Sequence, residues 1–248
     1  MTLTWANSND WADSSGDLDD PAAPHHNGLT DFGREVVAEM NRLGMMIDVS
    51  HASDKTFADV LETTRAPVIA SHSCARALCN SARNLTDDQL RQLAANGGVC
   101  MVNFYSAFVD ESYRRGWAAL RPELARATEA LKAKYAERGA TVPYHISAWV
   151  DRTFASRVPR PPFNSLIDQF DHVVRVAGID HVGVGSDFDG MPALPEGIDS
   201  AADLPKITAA LAGRGYSARD LGKVLGGNLM RVFGAAQAEA GYPPPPHI

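Results

Sequence analysis

At 248 residues, with 45% apolar and 21% charged side chains, the chain has a globular composition and the length for one large α/β domain or two small ones. A net charge of −7 excludes the Lys/Arg excess that neutralising nucleic-acid phosphates requires. No apolar run reaches the roughly 18 residues of a membrane span, and the first residues, Met-Thr-Leu-Thr-Trp-Ala-Asn, form neither a basic nor an apolar leader, so the expected compartment is the cytoplasm.

Thr2-Leu3-Thr4-Trp5 reads as the end of a strand, and residues 6–27, rich in Asn, Asp, Ser, Pro and Gly, as a loop. Thr30 is placed to cap a helix carrying Phe32, Val36, Val37, Met40 and Leu43 at helical spacing, with Gly44 closing it. Met45-Met46-Ile47-Asp48-Val49-Ser50-His51 is then a buried strand ending in histidine. Ser53-Asp54 opens a second helix with Phe57, Val60 and Leu61, and Pro67 starts another apolar run that ends at His72, 21 residues after His51. This βαβ rhythm predicts parallel strands with both imidazoles on one rim of the sheet. In α/β barrels that rim carries the active site, and imidazole is the commonest metal ligand.

Residues 73–84 are polar and irregular, and Cys74, Cys79 and Cys100 lack CxxC spacing, which fits buried free thiols in a reducing compartment. Thr86 caps a short helix with Leu90 and Leu93, and Val99 to Tyr105 is the next strand. Between 106 and 178 the rhythm breaks into a helix over 117–138, loops around Pro143 and 159–162, and a helix over 166–176. Such an insertion has the form of a lid or of a solvated excursion. A strand over 181–187 carries Asp187 at its end, and Asp189-Gly190 reads as a turn. Helices over about 203–211 and 217–233 follow. The organisation expected is one unit over 1–238 and a disordered tail over 239–248.

A single histidine at a strand end is commonly structural. Two at matching ends, with the hydroxyls of Asp-Val-Ser-His and Ala-Ser-His-Ser to brace them, point to a metal site. Asp187 suits a ligand or a proton-transfer carboxylate, and Arg83 a partner for a substrate carboxylate. His25, His26, His145, His172, His181 and His247 have no ligand-like neighbours in the sequence and are left out of the site.

Taken together, Leu29-Thr-Asp-Phe-Gly, Ile47-Asp-Val-Ser-His51, Ala66-Pro-Val-Ile-Ala-Ser-His72-Ser, Arg83-Asn-Leu, Met101-Val-Asn-Phe, Gly185-Ser-Asp187-Phe-Asp-Gly190 and Gly227-Asn-Leu-Met-Arg-Val-Phe resemble the membrane (renal) dipeptidases, the M19 metallopeptidases of the amidohydrolase superfamily. The resemblance runs over most of the chain. It implies a (β/α)8 TIM barrel that hydrolyses dipeptides at a two-zinc centre. By resemblance, His51 and His72 match the histidines on the second zinc, Arg83 the arginine holding the substrate carboxylate, and Asp187 the aspartate that exchanges protons during attack by a metal-activated hydroxide.

The family's His-x-Asp pair, bridging glutamate and a further histidine precede the Thr-Leu-Thr motif, which here opens the chain; no His-x-Asp occurs in the 248 residues. Five candidate strands, where a closed barrel has eight, point the same way. The expectation is an incomplete barrel lacking its first strands, from a truncated product or a misplaced start. Such a chain would support at most one Zn²⁺ site. Its open edges predict poor folding or pairing with another chain, such as a homodimer. Two rival readings are a cyclic-amide hydrolase of the same superfamily, which Arg83 disfavours, and a non-catalytic fragment or binding module.

Overall fold

Helix starts follow the capping residues. Thr30 Oγ1 accepts from Gly33 N (3.1 Å) ahead of α1 (Asp31–Arg42), and Ser53 Oγ accepts from Thr56 N (3.0 Å) ahead of α2 (Asp54–Thr63). Thr86 and Gln89 bond reciprocally as a capping box ahead of α3 (Asp87–Ala95). These elements belong to a computed structural model that describes residues 1–139, 141 and 146–242.

The strands β1 (Ile69–Ser73), β2 (Val99–Asn103) and β3 (Val182–Ser186) form a parallel sheet in that order. The two earlier expected strands shrink to single parallel bridges that extend the same array: Thr2 pairs with Asp48, and Asp48 with Ile69. Leu3 N donates to Asp48 O (3.2 Å), and Val49 N to Ile69 O (2.8 Å). Pairing ends there because the chain turns after Val49, with His51 in the left-handed region at φ 72°. Five parallel segments therefore lie side by side without closing among the described residues, an incomplete barrel as expected.

Residues 106–178 fold as α4 (Ser106–Val109), α5 (Glu111–Glu137), α6 (Ile146–Ala155) and α7 (Phe163–Ala177). Helix α5 starts ahead of the expected Trp117 because Asp110 Oδ1 accepts from Tyr113 N (2.9 Å) and caps it early. Helix α6 was not expected, and the loop around Pro143 lies outside the described residues. Towards the C-terminus come α8 (Leu204–Gly213), α9 (Ala218–Gly222) and α10 (Asn228–Glu239). The single helix expected over 217–233 is broken at Lys223–Gly227, where Gly226 takes φ 156°, a conformation that favours glycine. Glu239 ends α10 and pairs with Arg65 (2.7 Å), so the part of the expected tail at 239–242 is described, while 243–248 lie outside the described residues.

Leu90 and Leu93 of α3 and Leu166, Phe170 and Val173 of α7 pack in one core with Val102 and Val182 of the sheet. Val232 and Leu229 of α10 cover Ile69 and Val99, where β1 and β2 begin. The three cysteines are free and buried, and burial pushes Cys79 and Cys100 up to about 12, leaving inert thiols.

The sheet also depends on a missing side chain. A Cβ at Gly185 would stand 2.6 Å from both Met101 O and Ser71 O, backbone atoms that can yield only if the strands part. Gly185→Ala is expected to cost about 2 kcal/mol, lowering Tm by roughly 4–8 °C in a chain of this size. A calorimetric Tm within a degree of the parent would contradict the tight packing.

Candidate active site

The C-terminal strand ends frame a cleft of about 480 Å³ lined by Thr2, Leu3, Thr4, Trp5, Asn9, Trp11, His51, His72 and Asp187. Three of the four predicted site residues thus meet in one wall. His51 Nε2 and His72 Nε2 are 2.9 Å apart. Two nitrogens sharing one tetrahedral ion lie about 3.4 Å apart, so a small rotation of either ring would let both donate to a single ion. Among the described residues no three His, Cys, Asp or Glu side chains are grouped to hold a metal ion. Among the described residues the cleft thus brings together two imidazole donors.

Both rings favour the neutral form that metals need. Burial pushes His51 down to about 3, helped by the charges of Arg83 and His72 and opposed by Asp48. His72 is lowered by burial and then Arg83, against Asp187 and Asp48.

Asp187 accepts a hydrogen bond from Asn103 Nδ2 (3.1 Å), which orients its carboxylate. Its neighbour Gly190 has no room for a side chain, since a Cβ there would stand 2.3 Å from Asp187 Oδ1. Left-handed backbone concentrates at this rim: His51 (φ 72°), Ser186 (φ 53°) and Asp187 (φ 86°) account for all but Asn27 of such non-glycine residues described. Each costs on the order of 1–3 kcal/mol and persists where the surroundings enforce it, commonly at functional sites.

Arg83 is not in the cleft wall. It lies behind His72, donating Nη2 to the His72 carbonyl oxygen (3.2 Å) and stacking over Phe108 at 5.4 Å. Its Nε is buried without a partner, and burial pushes the guanidinium down to about 10. With Nε closed off, a carboxylate reaching this guanidinium would meet its Nη atoms.

Sequence reasoning missed the walls that the N-terminal loop supplies. Trp11 Nε1 (3.0 Å) and Asn9 Nδ2 (2.9 Å) both donate to Leu3 O, holding the wall together, while Trp5 stands 74% exposed at its lip. The signal was there in two tryptophans within a polar loop, but nothing local ties them to a strand end. Among the described residues, the insertion over 106–178 contributes none of the cleft lining. Of the excluded histidines, His172 does have a carboxylate partner, Asp87 (2.7 Å), which sequence separation concealed, and it is buried between α7 and α3. His25, His26 and His181 bond to backbone carbonyls, and His145 and His247 lie outside the described residues.

Solved structures share this architecture. The probable dipeptidase PvdM from Pseudomonas aeruginosa superposes with a TM-score of 0.78 at 31% identity, over 96% of this chain and 62% of that one. A metallo peptidase from Rhodobacter sphaeroides, liganded with a phosphinate mimic of the dipeptide L-Ala-D-Ala, gives 0.68 at 27% identity over 95% and 55%. Among curated relatives, Dipeptidase 3 of Mus musculus is 34% identical over 94% of this chain and 38% of its own, and Dipeptidase aclJ of Aspergillus oryzae 35% identical over 94% and 44%. The chain thus spans about two fifths of the length of the curated relatives it matches. The profile of the family described as membrane dipeptidase, peptidase family M19, matches residues 1–242, and the chain belongs to that family.

Proposed function

We propose that the cleft is part of a zinc centre for dipeptide hydrolysis. The observation that carries this reading is the approach of His51 Nε2 and His72 Nε2 to 2.9 Å in a cleft that Asp187 also lines. Zinc bound there would polarise the scissile carbonyl and lower the pKa of an attacking water. His51 and His72 would hold it through their neutral Nε2 atoms. Asp187, oriented by Asn103, takes the proton released during attack and returns it to the leaving amine. Arg83, half-buried beside His72, is assigned to anchor the carboxylate of the dipeptide.

Catalytic zinc sites use three protein ligands plus water, and the described residues group only two imidazoles. We therefore infer that residues 1–248 alone hydrolyse dipeptides only weakly. The test is zinc content per chain together with hydrolysis of a dipeptide panel, with and without chelator. Chelator-sensitive hydrolysis by a chain with zinc supports the function. Zinc-free chain that hydrolyses dipeptides at the same rate sinks it.

Gly190→Ala probes Asp187 without touching a ligand. The new methyl forces the carboxylate off Asn103, and a displacement near 1 Å costs on the order of 10²-fold in turnover. Zinc content and Tm should stay at the parent values. Unchanged kcat would remove Asp187 from the reaction.

A further inference from the structure

A second set of contacts behind His72 is built on Asp48 and Ser71. Asp48 is 4% exposed and accepts four hydrogen bonds. Oδ1 takes the backbone N–H groups of Ser50 and Ser71, each at 3.0 Å, and Oδ2 takes the hydroxyls of Thr2 (2.7 Å) and Ser71 (2.6 Å). Ser71 Oγ is also 2.7 Å from His72 Nδ1. Its other neighbour, the Ser50 hydroxyl, is 3.5 Å away, too long to compete.

A carboxylate can only accept, and a hydroxyl has one proton to give. The Ser71 proton is therefore committed to Asp48, and towards His72 the oxygen can only accept. His72 Nδ1 must be the donor. A neutral imidazole carries one N–H, which leaves the lone pair on Nε2, the atom facing His51 and the cleft. In the metal-free chain His51 then donates its Nε2–H across the 2.9 Å contact.

We propose that Asp48 is a positioning residue that acts through Ser71 to hold His72 as its Nδ1–H tautomer, keeping Nε2 available as a metal donor. The inference rests on reading the cleft as a metal centre, while the tautomer itself can be measured without metal. Asp48→Asn is the sharp test because it preserves shape. Two backbone N–H groups require an oxygen at the Oδ1 position, so the amide nitrogen takes the Oδ2 position and donates to Ser71. The Ser71 proton is then released towards His72 Nδ1, and the ring is driven to the Nε2–H form.

The experiment records imidazole ¹⁵N spectra of the metal-free full chain above about pH 8, where histidine is neutral, with zinc affinity measured in parallel. The parent should show a protonated Nδ1 and a pyridine-type Nε2 at His72. Asp48→Asn should invert the two, and Ser71→Ala should give a mixture of tautomers. Ser71→Thr, which keeps the hydroxyl, should restore the parent pattern. Zinc affinity should fall about 10- to 100-fold in Asp48→Asn and in Ser71→Ala but not in Ser71→Thr. A protonated Nε2 at His72 in the parent, or an unchanged tautomer in a folded Asp48→Asn chain, would overturn the relay. Absence of zinc binding in every chain overturns the metal-centre reading instead, and the nitrogen signals still decide the relay.

Discussion

His72→Ala is expected to weaken zinc binding by about 10²-fold or more and to abolish chelator-sensitive dipeptide hydrolysis. Structural zinc sites with four ligands bind with roughly 10–16 kcal/mol, so one ligand accounts for about 3 kcal/mol, and each 1.4 kcal/mol is tenfold in affinity. The loss here should be at the upper end, because only two imidazoles converge and the other cannot chelate alone. Isothermal titration with zinc measures the first effect and a coupled amine assay the second. His172→Ala is the matched control. It removes a buried histidine of similar size whose partner is Asp87 on α3, away from the cleft, and it should lower Tm while leaving zinc affinity at the parent value. Equal zinc affinity in His72→Ala and the parent would remove the pair from the site.

Arg83→Met should act on substrate instead. The guanidinium is half-buried with one bond to the His72 carbonyl, an unpartnered Nε, and a proton affinity lowered by burial. Losing a buried charge–carboxylate pair costs about 2–5 kcal/mol, which converts to roughly 30- to several-thousand-fold in kcat/KM at 1.36 kcal/mol per tenfold. The effect should fall mainly on KM for dipeptides with a free carboxylate. For the same dipeptides as C-terminal amides, parent and variant should differ little. Stability should hold, since methionine fills the apolar surface over Phe108 without an unsatisfied charge. Equal losses on acid and amide substrates would show that Arg83 supports the fold behind His72 and does not anchor the substrate.

The sequence alone determined what short-range chemistry controls. Thr30, Ser53 and Thr86 each satisfy an N–H three residues on, so their helices start where a reader of the chain expects. The apolar runs ending at His51, His72 and Asp187 announce strand ends, and the motifs around them announce the family. Tertiary structure decided the rest. Whether the histidines touch depends on a crossover spanning 21 residues, the orientation of Asp187 on a partner 84 residues away, and the brace of Asp48 on Ser71 23 residues away. No local propensity encodes such contacts, because they exist only once the parallel array has formed and the loop over 6–27 has folded against it. The turn after Val49 likewise left two expected strands as single bridges at Thr2 and Asp48. The fold gave buried Asp48, which reads in sequence as an oddity inside an apolar run, four donors and a place behind His72.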